Sequence, residues 1–194
     1  MRKSYYDYLE KNNIETGEIL GHKYWITESP MMKGGYGGYN GYIHFKKRPA
    51  TERGYQGILT YVPVHGGITL ARPDGKITFS ILPLFMAKPY LGIIYGFDTG
   101  HCDSEKYPRA DKAWVKKQIG LMQGGILRAR TVEVPYLLTG YVSDFLGRFG
   151  FMRIFHKWAR CIQARCVQFV WDTDKKHGNK FNFGMMINIL CGKI

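Results

Sequence analysis

The chain has 194 residues, 45% of them hydrophobic, and carries 28 lysines and arginines against 15 aspartates and glutamates, a formal charge of +13. That apolar content argues against intrinsic disorder, and the length predicts a single domain over residues 1–194 with a core of its own. No apolar run reaches the roughly 18 residues that span a bilayer, and Met1-Arg2-Lys3-Ser4-Tyr5-Tyr6-Asp7 lacks the apolar stretch of a secretion signal, so a soluble, cytoplasmic protein is expected.

Residues 4–12 read as a short helix rich in tyrosine, and residues 19–27 as a strand with Tyr24 and Trp25 half buried. Residues 31–42, from Met31 through Gly34-Gly35-Tyr36-Gly37-Gly38-Tyr39 to Tyr42, are dense in glycine and tyrosine but lack the spacing of a phosphate loop or a dinucleotide fingerprint. This stretch is either a plain surface loop or a lid whose tyrosines stack on a planar ligand. Residues 42–45 read as a strand, and residues 58–62 as another that leads into Pro63-Val64-His65-Gly66-Gly67-Ile68-Thr69. Pro73-Asp74-Gly75 is a turn signal, which makes residues 68–70 and 77–82 a hairpin. A further strand, residues 91–95, precedes Gly96-Phe97-Asp98-Thr99-Gly100-His101-Cys102-Asp103.

Residues 110–122 form the clearest helical pattern. Trp114, Val115, Gln118, Leu121 and Met122 recur at helical spacing, with Lys112, Lys116 and Lys117 opposite, Asp111 near the positive end of the dipole, and Gly124-Gly125 as its stop. In the last third, Phe151, Ile154, Phe155, Trp158 and Ile162 suggest an amphipathic helix with Arg153, Lys157 and Arg160 on its polar face, and residues 167–171 and 181–190 suggest strands. The expected fold class is therefore α+β. It comprises a mainly antiparallel β-sheet with one packed helix (about 110–122), a motif-bearing core over residues 39–125, and a basic C-terminal extension over residues 130–194.

The chemistry concentrates in the two glycine-bearing segments, about thirty residues apart. If the strands before them end side by side, His65, Asp98 and His101 meet at one sheet edge, where glycines let a ligand approach the backbone. Three uses fit. His65 and His101 can act as base and acid on a phosphodiester with Asp98 orienting one ring. The three can hold a divalent metal that activates water. They can also hold an anionic aromatic ligand without turnover. Thr69 would support as a hydrogen-bond donor, and Lys33, Tyr36, Tyr39 and Asp103 complete the expected ligand-binding set. Cys102, between His101 and Asp103, is a minor candidate nucleophile, and all four cysteines read as reduced thiols. His44 could sit on either face of its strand, and His22, His156 and His177 read as surface residues.

Tyr39-Asn40-Gly41-Tyr42-Ile43, Val64-His65-Gly66-Gly67-Ile68-Thr69 and Gly96-Phe97-Asp98-Thr99-Gly100-His101, followed by a helix, resemble a family of small, mostly uncharacterised bacteriophage proteins with HGGIT-like and GFD-x-x-H motifs. The resemblance covers roughly residues 39–125. Family members often carry cysteine where this chain has Thr99 and glutamate where it has Gln118, so neither a thiol nor a carboxylate is invoked at those positions. The resemblance implies a phage origin and action in the cytoplasm of an infected bacterium. By analogy with phage anti-defence proteins, the expected function is hydrolysis of a phosphodiester in a cyclic nucleotide immune signal. One alternative is a non-catalytic sponge for such a nucleotide. Another is a nucleic-acid-binding protein using the dispersed lysines and the 151–162 helix.

Overall fold

The computed structural model describes residues 4–29, 38–46, 57–74, 92–100, 111–146, 148–149 and 153–172. The chain divides into two compact units, residues 1–48 with 64–120, and residues 49–63 with 121–194.

The first unit begins with α1, Tyr5–Asn12. Ser4 caps it reciprocally: the Ser4 hydroxyl accepts the Asp7 N–H at 3.1 Å, and the Asp7 carboxylate accepts the Ser4 N–H at 3.1 Å. At the other end the Asn13 side-chain amide donates to the Leu9 and Glu10 carbonyls, both at 2.8 Å, satisfying orphan acceptors.

Among the described residues, five strands form one antiparallel sheet in the order β1-β2-β3-β5-β4. They are β1 Glu15–Ile19, β2 His22–Glu28, β3 Tyr39–Phe45, β4 Leu70–Pro73 and β5 Ile93–Phe97. Most of the strand expected over residues 19–27 is β2, but its first residues are the end of β1 and the turn of a hairpin. Leu20 and Gly21 both take positive φ, 47° and 75°, between the paired Ile19 and His22. Two such residues make the tight turn whose twist suits a hairpin. Leucine pays for that conformation where asparagine or glycine would not, which is why the turn has no sequence signature.

Register separates the faces. Trp25, Tyr42, Gly96 and Leu70 lie across from one another on one face, and Tyr24, Ile43, Tyr95 and Ala71 on the other. Helix α1 covers the first face: Leu9 joins Trp25 and Ile94 in a fully buried cluster, with Tyr6 edge-on to Trp25 at 5.0 Å. Tyr24 and Trp25 are thus buried, not half exposed as expected, because the sheet is covered on both sides here. The second face meets the start of α2, Lys112–Leu146, through Val115 and Ile119, with Ile119 against Gly41.

Helix α2 begins where expected, with the Asp111 carboxylate accepting the Trp114 N–H at 2.7 Å. It does not stop at Gly124-Gly125. It runs on through Pro135 to Leu146, its residues beyond Gly120 belonging to the second unit. Gly125 serves close packing rather than termination, since a methyl there would fall 2.7 Å from Val62 and 2.8 Å from Pro63. At Pro135, which has no N–H to give, the neighbouring Thr131 hydroxyl donates to the Leu127 carbonyl at 3.0 Å, and Thr139 to the Pro135 carbonyl at 2.6 Å.

The second helix of this unit, α3, spans Arg153–Trp171. It absorbs residues 167–171, expected as a strand, because Ala159, Ile162, Cys166 and Val170 are buried at intervals of three and four. It runs antiparallel to α2: Arg128 Nε donates to the Val170 carbonyl at 2.9 Å, and Gln163 Nε2 to the Tyr136 carbonyl at 3.5 Å. Phe155 and Trp158, read as part of its buried face, are exposed. The α+β class with an antiparallel sheet is as expected. The strands proposed over residues 77–82 and 181–190 lie outside the described residues.

Candidate functional site

The approach to His65 differs from expectation. Residues 58–62 are not a strand: residues 57–59 are helical, and the Tyr61 and Val62 N–H groups donate back to Ile58 and Leu59, both at 3.1 Å. Short-range bonds of this kind satisfy the backbone locally and leave nothing for a ladder. The chain then turns. The Gly67 N–H donates to the Val64 carbonyl at 3.0 Å, and Gly66 and Gly67 take φ of 69° and 78°, which side chains other than glycine tolerate poorly.

The HGGIT segment therefore precedes a strand instead of following one. It feeds β4, which runs antiparallel to β5, with Leu70 opposite Gly96. The Thr69 N–H donates to the Gly96 carbonyl at 2.9 Å, and the Thr69 hydroxyl stands 3.5 Å from the same oxygen. The backbones of the two motifs are thus hydrogen-bonded neighbours, two residues short of Asp98.

Helix α2 positions His65 from the side. The His65 backbone N–H donates to Gln118 Oε1 at 3.1 Å, and its ring meets Trp114 edge-on at 5.1 Å. Gln118 thus works as a neutral acceptor. Asp98, partly exposed, accepts the Gly100 N–H at 3.2 Å and so shapes its own turn.

Two buried residues not expected at the site hold this turn. The Thr99 N–H donates to Asn40 Oδ1 at 3.3 Å, and the Thr99 hydroxyl accepts the Gly38 N–H at 3.1 Å. These bonds tie the end of β5 to the entrance of β3. An asparagine inside a strand pattern was the available signal, since strands are depleted in it. Tyr39 is a residue of β3, paired with Glu28, and the Lys112 ammonium stands 5.8 Å from its ring centroid. Lys33, Tyr36, His101, Cys102 and Asp103 lie outside the described residues. Among the described residues, no group of three histidine, cysteine or acidic side chains is placed to hold a metal ion.

A second polar centre lies on the sheet face that carries α1. His44 is buried, its Nε2 2.6 Å from Asp74 Oδ2, with Tyr6 edge-on to the imidazole at 5.4 Å. The Asp74 N–H donates to the Gly92 carbonyl at 3.1 Å, and Asp74 Oδ1 is buried with no hydrogen-bond partner among the described residues. His22, expected at the surface, is half-buried with its ring 4.2 Å from that of Phe45, and its Nδ1 pairs with the His44 carbonyl at 3.2 Å. In the sequence Asp74 carries only a turn signal, and no spacing rule links it to His44 thirty positions earlier.

Among the thiols, Cys161 is exposed and Cys166 buried, both free. Burial pushes the Cys166 thiol up to about 12, so it behaves as an inert core residue. Burial also lowers Arg128, opposed by the nearby Asp172 carboxylate. No helix among the described residues is long and apolar enough to cross a membrane. No family model, curated protein or solved structure matches the chain.

Proposed function

We propose that the edge formed by the HGGIT and GFD segments binds a nucleotide and hydrolyses a phosphodiester in it. The ligand fitting the resemblance is a cyclic nucleotide immune signal, met in the cytoplasm of an infected bacterium. One imidazole of the pair His65 and His101 takes the proton from an attacking water. The other gives a proton to the departing ester oxygen, leaving a phosphomonoester and a free hydroxyl. Asp98 orients a ring and stabilises its charged form. Lys112, beside Tyr39, supplies positive charge for the phosphate while the tyrosine ring offers a stacking surface.

The observation that supports this reading is the Thr69–Gly96 backbone bond, which joins two segments distant in sequence. The net charge of +13 suits an anionic ligand. The test is incubation with cyclic di- and trinucleotides followed by chromatography of the products. Linear or monomeric products from the wild type, lost in His65→Ala and His101→Ala, are expected. Intact ligand recovered after denaturing the protein would make it a sponge. Binding that is indifferent to His65→Ala and falls steeply with salt would make it a general nucleic-acid binder.

A further inference from the structure

The second unit presents a surface that the motif edge does not use. Where α2 ends and α3 begins, Phe145 is 61% exposed, Phe149 41%, Phe155 57% and Trp158 47%. The antiparallel pairing of Arg128 with Val170 and of Tyr136 with Gln163 puts the end of α2 and the start of α3 at the same end of the hairpin. Phe145 and Phe149 already touch, with ring centroids 5.3 Å apart. Four half-exposed rings leave roughly 400 Å² of aromatic surface in water, within the range of the largest apolar patch of a typical monomer, which is often functional. The surrounding charge is mainly positive: residues 144–172 contain Arg148, Arg153, Lys157, Arg160 and Arg165 against Asp144, exposed beside Phe145, and Asp172 at the far end of α3.

We infer that this end of the hairpin docks on the surface of an anionic lipid bilayer. Aromatic rings enter the boundary between headgroups and acyl chains, while neighbouring lysines and arginines meet lipid phosphates. Charge selects this occupant over a second copy of the chain, since two such ends would face each other with like charge. Exposed aliphatic residues earlier in α2, Val134, Leu138 and Val142, favour it over nucleic acid even though Tyr141 among them is also exposed. The aliphatic side chains offer no face on which a base can stack, whereas acyl chains accept them.

The test is flotation of the full chain with vesicles of phosphatidylcholine alone, or of phosphatidylcholine with about one third phosphatidylglycerol. Binding to the anionic vesicles is expected, with little to the neutral ones. Lys157→Gln and Arg160→Gln each lower the partition about fivefold, and together about thirtyfold. The double variant Phe155→Ser, Trp158→Ser abolishes binding while leaving the circular dichroism spectrum unchanged and lowering the urea midpoint only modestly, because each side chain is about half exposed. Equal partition into both vesicle types, no binding to either, or anionic binding that survives loss of the two rings would overturn the inference. So would displacement from vesicles by an oligonucleotide that shields Trp158 from aqueous quenchers, or self-association abolished by the same double variant without vesicle binding.

Discussion

Thr99→Val probes how the turn bearing Asp98 is held. Thr99 is 2% exposed, and its hydroxyl is the acceptor for the Gly38 N–H at 3.1 Å. Valine preserves shape but removes that acceptor, leaving a buried donor without its partner. An unsatisfied buried N–H costs about 1–3 kcal/mol, so about 2 kcal/mol is expected. With a urea m-value of about 2 kcal/mol/M, the midpoint falls by about 1 M at unchanged m. Thr99→Ser keeps the hydroxyl and loses only a methyl, about 0.8 kcal/mol. Thr99→Cys replaces the oxygen with a weak sulfur acceptor and falls between serine and valine. Urea denaturation followed by near-ultraviolet circular dichroism ranks the series. A valine variant at least as stable as the serine variant would refute the reasoning, because the methyl and not the hydroxyl would then be what matters. If the same series orders product formation from a cyclic nucleotide at temperatures where every variant is folded, the turn positions Asp98 as well as stabilising the fold.

Gly92→Ala places a methyl that overlaps the His44 imidazole and falls 2.6 Å from Asp74 Oδ2 and 2.7 Å from the Phe45 carbonyl oxygen. Overpacking of this kind costs about 1–3 kcal/mol, and a urea titration finds it only partly reduced in a His44→Ala background, where the ring no longer competes for the space but the Phe45 carbonyl still does. Leu20→Asn relieves positive φ in the β1–β2 turn and raises stability by about 1 kcal/mol, read as a higher thermal midpoint. Glu10 accepts the Lys23 ammonium at 2.6 Å and the Trp25 indole N–H at 2.9 Å. The bond to Lys23, followed by that to Trp25, holds its carboxyl below the usual carboxylate range against partial desolvation. A carboxyl depressed in the folded state stabilises above its unfolded pKa and loses that contribution as pH falls through its folded one. Stability measured from pH 6 down to pH 3 therefore falls less steeply in Glu10→Gln than in the wild type.

What the sequence revealed and what it hid divide along the range of the interactions involved. Helix α1 was legible because Ser4 and Asp7 carry their capping signal within one turn, and the start of α2 because Asp111 does the same. The strands around Tyr42 and Ile94 were legible as β-prone runs beside glycine. The β1–β2 turn was hidden because Leu20 occupies a conformation that leucine seldom takes. The run over residues 58–62 misled because its apolar residues serve a helical turn and the packing of Val62 on Gly125. Gly124-Gly125 misled for the same reason in reverse: a glycine that admits a close neighbour looks in sequence like one that ends a helix.

The candidate site shows the same division. That the HGGIT and GFD segments would meet could be argued from their glycines and ionisable residues, but the way they meet could not. Two parallel strand ends would set both motifs at the ends of their strands. The observed antiparallel pair sets one motif before β4 and the other after β5, so His65 approaches from a turn held by Gln118 and Trp114. The supporting bonds of Asn40 and Thr99 span about sixty residues of sequence, and no local pattern encodes them. The positioning of a chemical group is thus the least local property of this chain. Substitutions at Gln118, Asn40 and Thr99 accordingly test the site without altering any group proposed to meet the ligand.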